Sequence, residues 1–389
     1  MQIRIVKLLK RLNAQTYRKL TVPARDLFHK LPSLKARGNR PLKMTFEDEF
    51  DALVYFHLMD FDSGRHLLQA LKEDDFARDV IAPEGGIEKS SFFEAINNRG
   101  LEQLTALYEA LSVKAAKLLP KAHAELGDLV AIDGSLIDAV LSMHWADYTG
   151  DVRKAKVHVG FNINQGIPTR VFLTEGKADE KPFASRILDK GQTGVMDRNY
   201  QCYRDFDLWQ SEGKHFICRV KDNTIKRVSR VNDVAPGGIV FYDAVALLGY
   251  KRGKRTGTMT EVRIIGYRID GKEFWVATDR HDLSAEDVAA AYKLRWNIET
   301  FFGWWKQHLK VYHLIARTEY GLKVQILGGL ITYLLLAIYC HEEHGERVSI
   351  NRVRELRFKI KNEMAADANP KPRRQRRYKP IMHNRCAKT

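Results

Sequence analysis

Residues 284–311 read SAEDVAAAYKLRWNIETFFGWWKQHLKV, and the rest of the chain is best understood from this stretch. The pattern predicts one long helix beginning at Ser284, because a serine followed three residues later by Asp287 resembles a capping box. At about 100° per residue, four polar residues would share an arc of roughly 60° along about 20 Å of helix axis. These four are Tyr292, Arg295, Glu299 and Lys306. A helix that packs by its apolar sector would thus present a carboxylate beside two cations and a phenol, which suits a phosphate held next to a metal ion.

The charge of the chain indicates a polyanionic partner. Its 389 residues carry a formal net charge of +16, and neutralising phosphates with lysine and arginine releases counterions. Nucleic acid is the leading candidate, since solubility alone does not need this much positive charge. Four cysteines without CxxC spacing indicate free thiols in a reducing compartment, and no secretory signal is evident. The uncharged stretch 324–340 is predicted to be a buried core helix rather than a membrane span.

Five regions follow from the changes of pattern along the chain. Residues 1–125 should form a helical domain that binds DNA, with helices capped by Thr45 and Ser63. The ranges 126–222 and 283–345 should together form a mixed α/β core, interrupted at 223–282 by a β-rich insertion. A basic tail is expected at 346–389.

Two short apolar runs of the core end in an acid. LVAID (129–133) predicts a buried strand ending at Asp133, and GVMD (194–197) predicts another ending at Asp197. A hairpin is expected around residues 164–166, because the sequence alternates on both sides of Asn-Gln-Gly.

Three carboxylates from these separate places could meet. Strand ends and a helix face can converge, and Asp133, Asp197 and Glu299 would then repel one another unless a cation neutralises them. Oxygen ligands with open positions suit Mg²⁺ or Mn²⁺. A pair of such ions can activate a water or a 3′-hydroxyl and stabilise the leaving oxygen.

The motif Y-x2-R-x3-E-x6-K, with its glutamate at 299, resembles the C-terminal signature of bacterial insertion-sequence transposases of the DDE class. The subgroup is the one numbered four, which contains the transposase of the Tn-five element. AIDGSLID and GVMDRNY resemble the contexts of that family's two aspartates, and EAINNRG resembles its N-terminal region. The resemblance implies an RNase H-like core and cut-and-paste DNA transposition.

The resemblance also implies roles for individual residues. Asp133, Asp197 and Glu299 would be the catalytic triad that binds two Mg²⁺ or Mn²⁺ ions. The DNA end and its 5′ phosphate would be held by Tyr292, Arg295 and Lys306. Further DNA contacts would come from Arg198, from Lys156 and His158 on one hairpin strand, and from Phe274 or Trp275, on which a flipped base would stack.

The predicted reaction begins with recognition of terminal inverted repeats in double-stranded DNA. Metal-dependent cleavage would give a 3′-hydroxyl that passes through a DNA hairpin and finally attacks target DNA. Two copies of the chain would act together in a synaptic complex in the bacterial cytoplasm, at the nucleoid. Two alternatives stay open, namely an RNase H-like nuclease or resolvase without strand transfer, and a non-catalytic DNA-binding protein derived from a transposase.

Overall fold

A computed structural model describes residues 14–35, 41–139, 147–149, 152–249, 257–311 and 313–368. The described part of the N-terminal region is helical, as predicted. Its helices are α1 (Gln15–Arg25), α2 (Phe46–Leu58), α3 (Gly64–Glu73), α4 (Lys89–Asn98) and α5 (Leu101–Leu118). Residues 1–13, the basic loop 250–256 and the end of the tail, with Cys386, lie outside the described residues.

The predicted helix starts are confirmed by their hydrogen bonds. The Thr45 hydroxyl accepts from the backbone N–H of Asp48, and the Asp48 carboxylate accepts from the N–H of Thr45 at 2.9 Å, which is a complete capping box. The Ser63 hydroxyl accepts from the N–H of His66 at 3.1 Å. Each side chain satisfies N–H groups that a helix leaves unpaired at its start.

Ten strands of the described residues form one mixed sheet, and the α/β fold class is therefore confirmed. The first six strands are β1 (Leu129–Ala139), β2 (Asp147–Thr149), β3 (Val152–Asn162), β4 (Ile167–Glu175), β5 (Thr193–Met196) and β6 (His215–Arg219). Helix α6 (Lys181–Ile187) lies between β4 and β5 in the chain, and α7 (Tyr203–Ser211) lies between β5 and β6.

The order β4-β3-β1-β5-β6 is the RNase H-like part of the sheet. β3 pairs antiparallel with both β1 and β4, which confirms the predicted hairpin, whereas β1, β5 and β6 run parallel. The prediction that the first strand ends at Asp133 was wrong. β1 continues to Ala139, because β3 still pairs with it after β5 has ended.

The β-rich segment continues this sheet. It comprises β7 (Lys226–Val231), β8 (Val240–Leu248), β9 (Val262–Ile269) and β10 (Lys272–Thr278). β10 pairs antiparallel with β6, and β9, β8 and β7 follow in that order to the edge. The four strands are therefore joined to the core by backbone hydrogen bonds.

Four helices follow in the described residues: α8 (Ala285–Lys293), α9 (Trp296–His308), α10 (Glu319–His344) and α11 (Ile350–Ala368). By length and composition α10 could cross a membrane, but 89% of its most apolar window is buried inside the protein, where it packs against α2, α4 and α5. It is thus a core helix, as predicted. Residues 350–368 of the range expected as a basic tail form α11, because Val353, Leu356 and Ile360 repeat at helical spacing and are buried.

Candidate active site

Asp133 and Asp197 lie at equivalent positions on two neighbouring parallel strands. The pairing of β1 with β5 ends at Ile132 and Met196, so each aspartate directly follows the last paired residue. Ala131 and Val195, two positions before the aspartates, belong to the hydrophobic core that α8 and α9 also line. Since side chains two apart in a strand share a face, both carboxylates point towards α8 and α9, from strands about 4.8 Å apart.

The surroundings of Asp133 oppose its negative charge. Its pKa is raised to about 7, chiefly by burial, and the nearby carboxylates of Glu180 and Asp197 act in the same direction. The backbone N–H of Gly134, which donates to Oδ1 at 2.8 Å, and the guanidinium of Arg295 act in the opposite direction. Because the surroundings disfavour the ionised form of Asp133, a bound cation would stabilise that carboxylate.

Asp197 directly follows β5 and begins the next turn. Its Oδ1 accepts from the backbone N–H of Asn199 at 2.8 Å, and the residues that follow form a short 3₁₀ turn, Arg198–Tyr200. Arg198 is exposed and Tyr200 is fully buried. The sequence order Asp-Arg therefore places one cation at the surface directly beside the second aspartate.

The long helix predicted for residues 284–311 is broken into α8 and α9. Its start is confirmed, since Ser284 accepts from the N–H of Asp287 at 3.0 Å. At the break, the N–H groups of Arg295 and Ile298 donate to carbonyls only three residues earlier. These tighter turns interrupt the α-helix between Tyr292 and Glu299.

The break leaves three residues of the Y-x2-R-x3-E-x6-K motif, Tyr292, Arg295 and Glu299, close to one another. Arg295 donates to Glu299 Oε1 at 2.5 Å, and its guanidinium lies 5.9 Å from the centre of the Tyr292 ring. Tyr292 is buried, which raises the pKa of its phenol to about 12. The side chain of Arg295 is only 14% exposed, whereas that of Glu299 is 34% exposed.

Lys306 reaches the other end of the same face. Its Nζ donates to the carbonyl of Leu136 on β1 at 2.8 Å. Burial lowers the pKa of Lys306, while Asp138 and Asp133 act to raise it. The lysine therefore bridges α9 to the strand that carries the first aspartate.

Two of the three expected carboxylates are placed to bind a divalent cation, and the third is not. Asp133 and Asp197 supply oxygen ligands from neighbouring strands, in a site that disfavours the charge of Asp133. Glu299 is bonded to Arg295, and no three His, Cys, Asp or Glu side chains of the described residues are arranged to hold a metal ion. The third carboxylate would have to leave Arg295 to complete the triad.

The two hairpin residues occupy different environments. Lys156 Nζ lies 3.0 Å from Glu180 Oε1 and donates to the carbonyl of Ala178. His158 is fully buried, contacts the Thr174 hydroxyl at 2.8 Å and stacks on Phe183. Burial also lowers the pKa of His158 to about 4, so this position does not offer a cation to DNA.

Phe274 and Trp275 point to opposite faces of the sheet. Phe274 stacks on Tyr267, lies under the guanidinium of Arg219 and packs on the same side as Tyr292. Trp275 belongs to the core on the other side. Of the two aromatic candidates, Phe274 is the one beside the signature helices.

Sequence reasoning missed Glu180, Arg219 and Tyr200. Glu180 lies beside Asp133, Arg219 affects the pKa of Tyr292, and Tyr200 lies beneath the aspartates. Only the position of Tyr200, three residues after Asp197, gave any signal. The other two come from regions that the sequence does not connect to the site.

The sheet order and the paired aspartates where β5 separates from β1 define an RNase H-like α/β protein. The family described as "Transposase DDE domain" matches residues 125–335, more than half of the chain. The chain belongs to this family. Divalent metal ions are used by DDE transposases generally.

Curated relatives carry related names. The chain is 28% identical over 229 residues to a "Probable transposase for insertion sequence element IS5377" of Geobacillus stearothermophilus, covering 57% of this chain and 59% of the relative. It is 23% identical over 281 residues to a "Putative transposase for insertion sequence element IS4SA" of Synechocystis sp., covering 69% and 77%. A "Putative transposase y4zB" of Sinorhizobium fredii is 26% identical, over 50% of this chain and 56% of its own length. The matches thus span less than two thirds of two of these relatives.

One solved structure is similar over most of the chain. It is titled "Cryo-EM structure of piggyBac transposase synaptic complex with hairpin DNA (SNHP)", with 10% sequence identity, a TM-score of 0.43, and coverage of 95% of this chain and 83% of the other.

Proposed function

We propose that this protein is the transposase of an insertion sequence. It cuts double-stranded DNA at terminal inverted repeats and joins the freed 3′-hydroxyl to target DNA. The observation that supports this most is the placing of Asp133 and Asp197 side by side on the sheet face that Tyr292 and Arg295 cover. The family match agrees with it.

The catalytic carboxylates in this proposal are Asp133, Asp197 and Glu299. Two Mg²⁺ or Mn²⁺ ions, when bound by them, would supply activation of the attacking hydroxyl and stabilisation of the leaving oxygen. In the free protein Arg295 neutralises Glu299. A DNA phosphate that binds Arg295 replaces Glu299 as the partner of the guanidinium. The freed carboxylate is then available to a cation, so DNA and cation should strengthen each other's binding.

The DNA end lies along the cations that surround the aspartates. Arg295, Lys306 and Arg198 contact phosphates, and Tyr292 supports the guanidinium of Arg295. Phe274, beside Arg219, offers a ring for stacking of an unpaired base. Two copies of the chain hold the two ends in a synaptic dimer, in the cytoplasm at the nucleoid.

The test is cleavage of DNA carrying the element ends with Mg²⁺ present. Asp133→Ala, Asp197→Ala and Glu299→Gln should each reduce cleavage at least a thousandfold, on the order expected for loss of charge stabilisation at the reacting atoms. The matched control is Glu273→Gln, which neutralises an exposed glutamate of β10 that is paired with Arg268 of β9, near the turn joining these strands.

Folded triad variants that cut as fast as the unaltered protein would overturn the proposal. Adding a target plasmid separates the alternatives. Joined products indicate a transposase, cleavage without joining indicates a nuclease, and metal-independent binding without cleavage indicates a DNA-binding protein.

A further inference from the structure

Glu180 lies against β1 directly after Asp133. A Cβ placed on Gly134 would stand 2.8 Å from Glu180 Oε1, so the carboxylate fills space that only a glycine leaves open. Glu180 immediately precedes α6, and the start of a helix favours a negative charge. This acid is therefore held beside the strand that carries the first aspartate.

A single lysine opposes this carboxylate. Lys156 Nζ lies 3.0 Å from Glu180 Oε1, and the two side chains are only 15% and 20% exposed. Lys156 also donates to the carbonyl of Ala178 at 3.1 Å, which fixes the ammonium group. In this partly dry setting a charge acts over a longer range than it would at the surface.

Tyr200 is influenced both by Glu180 of this ion pair and by the two aspartates. Its side chain is fully buried, and its hydroxyl has no hydrogen bond of normal geometry. Burial raises the pKa of the phenol far above its usual value, and Glu180, Asp133 and Asp197 raise it further, in that order. Three carboxylates thus act on one phenol, and Glu180 also acts on Asp133 directly.

We propose that Glu180 and Lys156 are opposed positioning residues that set how tightly Asp133 and Asp197 hold a divalent cation. Glu180 adds negative charge behind the two aspartates and strengthens their hold, whereas Lys156 cancels part of that charge. Neither residue touches the cation. The inference rests on the proposed function, because it assumes that these aspartates bind metal.

The two partners predict effects of opposite sign. Glu180→Gln removes a negative charge and leaves Lys156 unopposed, so the binding of Mn²⁺ should weaken by about tenfold or more. Lys156→Met leaves Glu180 unopposed, so binding should tighten severalfold. The double variant should return to within about twofold of the unaltered protein, since both charges are gone.

The experiment titrates the full chain with Mn²⁺ without DNA and follows free Mn²⁺ by electron paramagnetic resonance. Asp133→Asn should abolish the binding and so identifies the site. Lys323→Met, which breaks the exposed Lys323–Glu319 pair on α10, is the matched control and should change nothing. Tighter binding in Lys156→Met cannot result from damaged folding, which keeps the test decisive.

The outcomes separate the two proposals. If Asp133→Asn abolishes binding while the Glu180 and Lys156 variants leave it unchanged, or shift it in the same direction, this inference is overturned and the proposed function stands. If Asp133→Asn leaves the binding unchanged, the aspartates hold no cation and both proposals fall.

Discussion

Glu49 is an acidic side chain buried under the turn between α4 and α5. It is 1% exposed, and its oxygens lie where a Cβ on Gly100 would be, at a backbone φ of +81° that favours glycine. Burial raises the pKa of Glu49 to about 8 from its usual 4.5, and Arg99 opposes the shift only in part. The carboxyl is therefore protonated in the folded protein at neutral pH.

The raised pKa predicts a loss of stability with rising pH. Below about 4.5 Glu49 is protonated in both states. Between about 4.5 and 8 the unfolded chain releases the proton while the folded protein keeps it, so the free energy of unfolding falls. Glu49→Gln should remove this fall, worth roughly 2–4 kcal/mol.

Urea denaturation at pH 5 and pH 8.5 measures the effect. The control is Glu102→Gln on the exposed side of α5, which should keep the pH dependence of the unaltered protein. Equal pH dependence in Glu49→Gln and in the unaltered protein would contradict the assignment.

At the scale of secondary-structure elements, a buried ion pair joins β8 to β9, and its arginine also bonds the backbone just before α8. Arg263 donates to both oxygens of Asp243 at 3.0 and 2.8 Å, and also to the carbonyl of Leu283 at 2.6 Å. The two side chains are 10% and 4% exposed. The β-rich segment is thereby connected to the start of the signature helices.

Removing one partner of this pair should be costly. Asp243→Asn leaves a buried guanidinium without its counter-charge, which typically costs about 3–5 kcal/mol in the free energy of unfolding. Glu273→Gln breaks the exposed pair with Arg268 instead and should cost less than about 1 kcal/mol. Chemical denaturation of both variants measures the difference, and equal costs would show that burial of the pair is unimportant.

Elements bounded by local signals were predictable from the sequence. The caps at Thr45, Ser63 and Ser284 and the hairpin near residue 164 each depend on side chains or turns within a few residues. The break at Arg295 was not predictable, because the apolar spacing continues across it and no proline or glycine marks it. The length of β1 and the joining of β10 to β6 depend on distant strands, which a single-sequence pattern does not show.

The candidate site divides in the same way. The positions of the two aspartates follow from the apolar runs before them, and the helix spacing brought Arg295 and Glu299 together correctly. Glu180 and Arg219 could not be found, because their neighbours in space are far away in the chain. The ion pair between Arg295 and Glu299 was not predictable either, because it depends on side-chain conformations that sequence spacing does not determine.

For the whole molecule, the net charge of +16 predicts a steep dependence of DNA binding on salt. If about six phosphates are contacted, affinity should fall on the order of a thousandfold between 50 and 200 mM salt. Arg198→Gln, which removes one exposed cation beside Asp197, should lower the slope of log affinity against log salt by about one. Fluorescence anisotropy with a labelled duplex measures both, and a flat salt response would exclude phosphate contacts as the main source of affinity.

The buried position of α10 affects how the protein is made. The ring of His57 on α2 contacts the carbonyls of Leu309 and Gln325, which follow it by 252 and 268 residues. At about 5–20 residues per second, a ribosome needs on the order of 15–50 s to synthesise the partner that covers the first helices. During that interval the early part of the nascent polypeptide exposes apolar surface, so a slow stretch of translation after α5 would lengthen the period in which it can aggregate.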